Sequence, residues 1–286
     1  MSRMAGQATI LSQDVGFCEG PVIAGNGDTF AVAIDRGQIT RTTRAGETTV
    51  WATTGGGPNG LTADGQGGLF VAQNGGIWPA TQQGTAGVQH IGADGTLRQL
   101  CAGMVAPNDL AIGPDGMLYV TDPTRTPARD DGRIWRVDPA TGQAEVWMRM
   151  GWYPNGIGFG PDPGWLYVAD TGNGRILRIP LDHPEEARME VAFALRHGLP
   201  DGFAFDRAGR IVTASIGAAE GDSGCLEIFD PRDGSASRID CQGARFLTNV
   251  AIGADGRRVI ADSGNGRLLT HDGGVPGLPL YPLRKA

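Results

Sequence analysis

The chain has 286 residues, of which 40% are hydrophobic and 19% charged, and its formal net charge is -7 at pH 7. The length and apolar content are sufficient for a sizeable buried core, while the acidic balance and the lack of a basic stretch argue against nucleic acid as a partner. No apolar run approaches the roughly 18 residues of a membrane-spanning helix, so no membrane partner is expected.

The N-terminal segment MSRMAGQATILSQDV lacks the apolar core of a secretory signal peptide. The chain has four cysteines, and none of them forms a C-x-x-C pair: Cys18, Cys101, Cys225 and Cys241. So few cysteines without paired spacing are typical of reduced thiols. Both observations predict a cytoplasmic protein.

Six similar phrases recur along the chain, and they start near residues 19, 58, 107, 154, 200 and 248. Each contains a polar residue, a short apolar strand, a Gly/Asp turn and a second apolar strand, as in PNDLAIGPDGMLYVTD from Pro107. The leading polar residues are separated by 40, 49, 47, 46 and 48 positions; they are Glu19, Asn59, Asn108, Asn155, Asp201 and Asn249. This period suits a four-stranded propeller blade and is too long for a leucine-rich repeat.

The pattern within each phrase has a period of two, since Leu110 and Ile112 face one way and Leu118 and Val120 do likewise. Helical repeats of similar length would need runs with 3.6-residue periodicity, and none of useful length occurs. The sequence therefore predicts an all-β fold, a six-bladed β-propeller of four-stranded antiparallel sheets that forms a single domain over residues 1–286. The early strand at 7–13 is predicted to pair with residues 267–272 and close the ring.

The first strand of each propeller blade lines the central channel, so the six leading polar residues are expected at one mouth. Burying them, including the carboxylates of Glu19 and Asp201, costs desolvation unless something binds them. Carboxylate and amide oxygens without His or Cys suit Ca²⁺, Mg²⁺ or Mn²⁺ far better than zinc, which predicts a divalent metal site. The alternative is that the asparagines only form turns. That alternative is strongest for Asn59, whereas Glu19 has no turn preference.

The chain resembles the senescence marker protein / gluconolactonase / luciferin-regenerating enzyme family over roughly residues 15–272. The motifs that carry this resemblance are EGP (19–21), PND (107–109), PNG (154–156), PDG (200–202) and TNVAIGADG from Thr248. The resemblance, nearest to bacterial members, implies a six-bladed propeller with one catalytic divalent metal in the channel. Ca²⁺ is the first expectation, with Mg²⁺, Mn²⁺, Zn²⁺ or Fe²⁺ as alternatives.

By position, the resemblance implies that Glu19, Asn155 and Asp201 are the protein ligands of the metal. Asp201 would also be the catalytic base, and Asn108 would contact metal or substrate. Family members typically hydrolyse lactones, so the predicted function is metal-dependent opening of a lactone ring by water. The expected partner is a small-molecule substrate, and the sequence predicts no oligomeric state.

Further residues are predicted to bind substrate. Asn59 and Asp109 would help to orient it, and three aromatic residues are expected at the mouth, where ordinary packing is the alternative role: Trp78, Trp152 and Tyr153. Ala106 stands where sugar-lactone members of the family carry an arginine, which removes a donor for sugar hydroxyls. A less polar lactone or another cyclic ester therefore stays open beside a sugar lactone.

Two other function classes stay open. One is a non-hydrolytic enzyme on the same site, such as an isomerase, a lyase or a condensing enzyme resembling strictosidine synthase. The other is a binding propeller whose metal is structural, since a fold does not by itself determine function. Against the second class, the chain has no long charged or aromatic stripe suited to a protein groove.

Overall fold

The computed structural model describes residues 7–76, 83–123, 131–217 and 223–282. In these residues the chain forms six four-stranded antiparallel sheets, which confirms the predicted six-bladed propeller. The helical content of the same residues is limited to short 3-10 turns at Ile34–Arg36, Thr171–Asn173, Glu186–Arg188 and Ser263–Asn265. None of the described helices is long and apolar enough to cross a membrane.

Each blade runs from an inner strand beside the channel to an outer strand at the rim. The strands of blades one to three are β2 (Cys18–Ile23), β3 (Thr29–Ala33), β4 (Gln38–Thr42), β5 (Thr48–Thr53); β6 (Pro58–Ala63), β7 (Leu69–Gln73), β8 (Gly87–Ile91), β9 (Leu97–Ala102); β10 (Leu110–Ile112), β11 (Leu118–Asp122), β12 (Gly132–Val137) and β13 (Ala144–Met150). Those of blades four to six are β14 (Pro154–Phe159), β15 (Trp165–Asp170), β16 (Arg175–Pro180), β17 (Glu190–Ala194); β18 (Gly198–Phe205), β19 (Ile211–Gly217), β20 (Cys225–Asp230), β21 (Ser235–Asp240); β22 (Leu247–Ile252), β23 (Arg258–Asp262), β24 (Arg267–His271) and β1 (Thr9–Ser12).

The ring of blades is closed in two ways. The inner strands contact one another in the order β2, β6, β10, β14, β18, β22 and back to β2. The N-terminal strand β1 pairs antiparallel with β24, with Thr9 opposite Thr270 and Ile10 opposite Leu269. The predicted pairing of residues 7–13 with 267–272 is thereby confirmed, and the last blade combines both ends of the chain.

The second strand of each blade is buried on both faces because every blade lies between two neighbours. In β11, Leu118, Tyr119 and Val120 are all buried. Successive side chains point to opposite faces of the blade, as predicted, but both faces are covered, so exposure does not alternate. The Tyr119 hydroxyl donates a hydrogen bond of 3.0 Å to Asp115, which satisfies this buried polar group. The apolar clusters of the core accordingly lie between adjacent blades.

The pairing register corrects one feature of the predicted repeat. In blade six Leu247 pairs with Asp262, the last residue of β23, as the proline before the leading residue does in blades two and four. In blade six, Thr248 therefore takes the position that the leading polar residue takes in the other blades. Asn249 lies one residue further along β22. The phrase comparison missed this offset because blade six has Asn249 where most blades have glycine.

Candidate functional site

The predicted metal ligands lie near the start of three inner strands. Glu19 on β2, Asn155 on β14 and Asp201 on β18 are 7%, 6% and 7% exposed. Asn59 on β6 is buried at the same level, and Asn108, just before β10, is half-buried. Since the inner strands form a closed ring, these side chains converge at one end of the channel, which we call the proximal mouth.

Electrostatic coupling links three carboxyl groups at the ring. Burial raises the pKa of Glu19 to about 7, with a further increase from the charge of Asp109. Burial likewise raises the pKa of Asp109 to about 7. The pKa of Asp201 lies well above its ordinary value because of burial and then the charges of Glu19 and Asp109, although a hydrogen bond with Asn155 lowers it. Without a cation, the folded protein therefore favours protonated carboxyl groups here.

Hydrogen bonds from neighbouring residues orient the Glu19 carboxylate. The Asn249 side-chain amide donates a bond of 2.9 Å to Glu19 Oε2, and the Gly20 amide donates to the same oxygen. The Val250 amide in turn donates 2.8 Å to Asn249 Oδ1, so the Asn249 donor group must face Glu19. Asn249 and Asp109 also share a hydrogen bond. These two residues belong to blades six and three, which face each other across the channel.

The donor set at the proximal mouth fits a divalent metal ion. No group of three or more His, Cys, Asp or Glu side chains within the described ranges is arranged to hold a metal. A site at this mouth therefore needs donors besides these side chains, and Asn155 offers an amide group beside Asp201. Two carboxylates balance the charge of a dication, and oxygen donors of this kind are those of Ca²⁺ and Mg²⁺ sites.

Close packing around the axis explains the glycines that follow the leading residues: Gly20, Gly60, Gly156 and Gly202. A Cβ on Gly156 would lie 2.4 Å from the Asp201 carbonyl oxygen, and one on Gly202 would lie 2.1 Å from Asn249 Cγ. Neighbouring inner strands therefore approach each other at contact distance. In blades three and six this position carries Asp109 and Asn249, whose side chains fill the narrowed channel.

Acidic or amide side chains, all of them buried except the exposed Asp35, hold the segments that lead into the inner strands, a role that the sequence did not predict. The bonds are Phe17 N to Asp35 (2.7 Å), Gly57 N to Gln73 (2.6 Å), Val105 N and Ala106 N to Asp122 (2.9 Å each), Arg196 N and His197 N to Glu227 (2.9 Å each), and Arg245 N to Asp262 (3.1 Å). Those accepted by carboxylates are charge-assisted, and such bonds are among the stronger ones in proteins. The sequence feature that accompanies this role is the aspartate at the end of the apolar runs LYVTD (Asp122) and VIAD (Asp262).

The predicted aromatic lining is only partly described. Trp152 is half-buried and packs on the apolar cluster between blades three and four, and its indole Nε1 is buried with no hydrogen-bond partner among the described residues. Tyr153 is half-buried, and Trp78 lies outside the described residues. Ala106, at the position of the family arginine, is 3% exposed.

A second compartment lies beyond Asp109 and Asn249. It is a cavity of about 550 Å³ in the half of the channel where the inner strands end, and we call it the distal cavity. Asp109 lines it, whereas Glu19, Asn155 and Asp201 do not. Among the described residues of the predicted site, Asp109 is thus the one that faces the distal cavity.

Comparison with known proteins was made by sequence and by fold. The family model described as the SMP-30/Gluconolactonase/LRE-like region matches residues 17–260. The chain is 31% identical over 199 residues to the 6-deoxy-6-sulfogluconolactonase of Pseudomonas putida, a match that covers 68% of this chain and 64% of that protein, so less than two thirds of the relative.

Two solved structures share the fold. A gluconolactonase from Xanthomonas campestris superimposes with a TM-score of 0.76 at 23% identity, over 96% of this chain and 91% of that one. A calcium-binding regucalcin from Agrobacterium tumefaciens superimposes with a TM-score of 0.77 at 22% identity, over 98% of both chains.

Proposed function

This chain belongs to the SMP-30/Gluconolactonase/LRE-like family, and we propose that it is a metal-dependent lactonase that opens a lactone ring with water. The observation that carries the proposal is the buried, electrostatically coupled pair Glu19 and Asp201, with the Asn155 amide beside it at the proximal mouth. The lactonases among the proteins that it resembles support the reaction class.

We propose Glu19, Asn155 and Asp201 as the ligands of one divalent ion. Ca²⁺ is favoured because the donors are all oxygen and because a calcium-binding regucalcin shares the fold. When bound, such an ion supplies Lewis acidity toward a carbonyl oxygen and positive charge beside two buried carboxylates.

Asp201 acts as the general base. It accepts a proton only as the carboxylate, and a neighbouring positive charge favours that form over the protonated acid of the metal-free protein. A water molecule loses this proton as its oxygen attacks the lactone carbonyl carbon. The ring C–O bond then breaks, the departing oxygen takes up a proton, and the product is a hydroxy acid.

The remaining polar residues of the mouth bind the substrate in this proposal. Asn59 and Asn108 present amide groups beside the metal ligands, where donors stabilise negative charge on the carbonyl oxygen as the tetrahedral carbon forms. Trp152 contributes an apolar surface next to Tyr153. With Ala106 in place of an arginine, the site favours a lactone with fewer hydroxyl groups than an aldonolactone.

The test is a pH-indicator hydrolysis assay on metal-stripped protein reloaded with Ca²⁺, Mg²⁺, Mn²⁺, Zn²⁺ or Fe²⁺. Sugar, aliphatic and aromatic lactones are compared. We expect activity to return with one of these ions, and Asp201→Asn to lower kcat by about a hundredfold or more. Asp240→Asn is the matched control, since Asp240 is an exposed carboxylate paired with Arg238. Full activity in a folded Asp201→Asn variant would rule out Asp201 as the general base. Inactivity with every ion would rule out the proposed lactonase activity.

A further inference from the structure

The distal cavity exists because the inner strands present small side chains to it. Three residues after the leading position of each blade, six positions line the cavity: Val22, Thr62, Ala111, Gly158, Ala204 and Ala251. Four of the six are alanine or glycine. Larger apolar residues flank most of these positions; Phe159, Phe203 and Phe205 belong to the apolar clusters between blades and also border the cavity. The hollow is thus a property of the repeat in this chain.

The distal cavity has apolar walls and a polar inner end. Apolar walls come from residues such as Ile112, Phe159, Phe203 and Phe205. The inner end is closed by the polar pair of Asp109 and Asn249 described above. A volume of about 550 Å³ with apolar walls and a few polar groups is that of a small-molecule pocket.

The C-terminal segment 277–281 forms the outer wall of the cavity. The Gly277 amide donates 2.9 Å to the Gly253 carbonyl, and the Leu278 amide donates 2.9 Å to that of Phe205. Further along, the Tyr281 ring meets Phe159 of blade four edge-on at 5.9 Å and packs on the apolar cluster between blades two and three. The segment therefore crosses the distal mouth from blades five and six toward blades three and four and narrows it.

Positive charge lies at the rim of the distal mouth. Arg44 and Arg207 both line the cavity opening. The Arg44 guanidinium is paired with Asp255 at 2.8 Å, whereas the exposed Arg207 guanidinium forms no ion pair or hydrogen bond with any residue that the structure describes. The cavity thus combines an apolar interior with an available guanidinium at its entrance, which suits a carboxylate on an apolar body.

We propose that the distal cavity is a second ligand site, separate from the proximal mouth, that binds an amphipathic monocarboxylate. The apolar body lies among Phe159, Phe203 and Phe205, beneath segment 277–281, and the carboxylate pairs with Arg207. The proposal does not depend on the lactonase activity, since no metal ligand or proposed catalytic residue is part of the site.

Isothermal titration calorimetry with decanoate tests the proposal on the full-length chain. We expect saturable one-to-one binding to the wild type. Ala204→Phe, which fills the cavity, should weaken it by about tenfold or more, and Arg207→Gln should weaken it several-fold. Ala251→Leu is the second filling variant if Ala204→Phe does not fold. Decanol should bind more weakly than decanoate, because it lacks the charge that Arg207 recognises.

Matched controls locate the binding. Ala93→Phe makes the same change at an exposed turn, and Arg232→Gln removes an exposed guanidinium elsewhere; both should bind decanoate as the wild type does. Glu19→Gln, at the proximal mouth, should also leave the affinity unchanged. No binding to the wild type, undiminished binding in a folded filling variant, or loss of binding in Glu19→Gln would each overturn the proposal.

Discussion

Asn249 determines how Glu19 is presented at the proximal mouth. Its amide is fixed at both ends, since Oδ1 accepts from Val250 and Nδ2 donates to Glu19 Oε2. Gly202 leaves the room for it, because a Cβ there would overlap the Asn249 side chain. Asn249 is therefore a positioning residue that keeps a buried carboxylate in one orientation.

Replacing Asn249 by alanine should weaken metal binding by about ten- to a hundredfold, because a lost hydrogen bond to a charged group costs roughly 1.5–3 kcal/mol. Loss of that bond also removes an influence that lowers the pKa of Glu19. The pH at which metal affinity is half-maximal should therefore move upward. Calorimetric titration of Ca²⁺ across a pH series measures both effects.

Asn26→Ala is the control for this prediction. The Asn26 amide donates 3.0 Å to Asp28 in an exposed turn away from the proximal mouth. Equal metal affinity and an equal pH midpoint in Asn249→Ala and the wild type would show that Asn249 serves packing alone.

At the scale of the strand, the glycine after each leading residue sets the spacing of the inner ring. Gly156→Ala places a methyl group 2.4 Å from the Asp201 carbonyl oxygen, so β14 and β18, which carry two of the three proposed ligands, must move apart. Overpacking of this kind costs about 1–3 kcal/mol in the free energy of unfolding. We expect that loss in urea denaturation, together with weaker metal binding.

Gly172→Ala is the matched control, since a Cβ there meets nothing within 4 Å. It should unfold at the urea concentration of the wild type. If Gly156→Ala kept both wild-type stability and wild-type metal affinity, the inner strands would have more freedom than the structure indicates.

Strand existence and order were predictable from the sequence because the polar residue, apolar run and turn repeat at nearly constant spacing. The pairing register of the strands was harder to predict. The offset in blade six depends on which residue of β22 pairs with β23, whereas the sequence shows only that Asn249 precedes Val250. The role of Asp122 was hidden for a related reason. Its bonds to the amides of Val105 and Ala106 join segments that are distant in sequence.

At the scale of the whole molecule, the channel is divided into two compartments by Asp109 and Asn249. The proximal ring was predictable because polar residues at strand starts are visible in the sequence. The distal cavity was not, since it depends on the direction of alternate side chains in six strands and on the path of segment 277–281. Metal binding and carboxylate binding can therefore be tested at opposite ends of one fold.

The stability of the metal-free protein should fall as the pH rises from about 5 to about 8. Burial raises the pKa of Glu19 and of Asp109 to about 7 in the folded protein, whereas the unfolded chain has ordinary values near 4. Between these values the folded state binds more protons than the unfolded state. The stability that this protonation supplies is present at low pH and is lost as the pH rises through the folded pKa.

A cation that binds the folded ring favours the carboxylate forms, so Ca²⁺ should raise the melting temperature more at about pH 8 than at about pH 5. Scanning fluorimetry with chelator and with saturating Ca²⁺ measures both trends. The double variant Glu19→Gln with Asp109→Asn isolates the contribution of these two carboxyl groups from that of the rest of the chain. The variant should lose much of the pH slope, because Asp201 is then the one of these three carboxyl groups that still ionises. A metal-free melting temperature that rises with pH, or an unchanged slope in the folded double variant, would place the titrating groups elsewhere in the molecule.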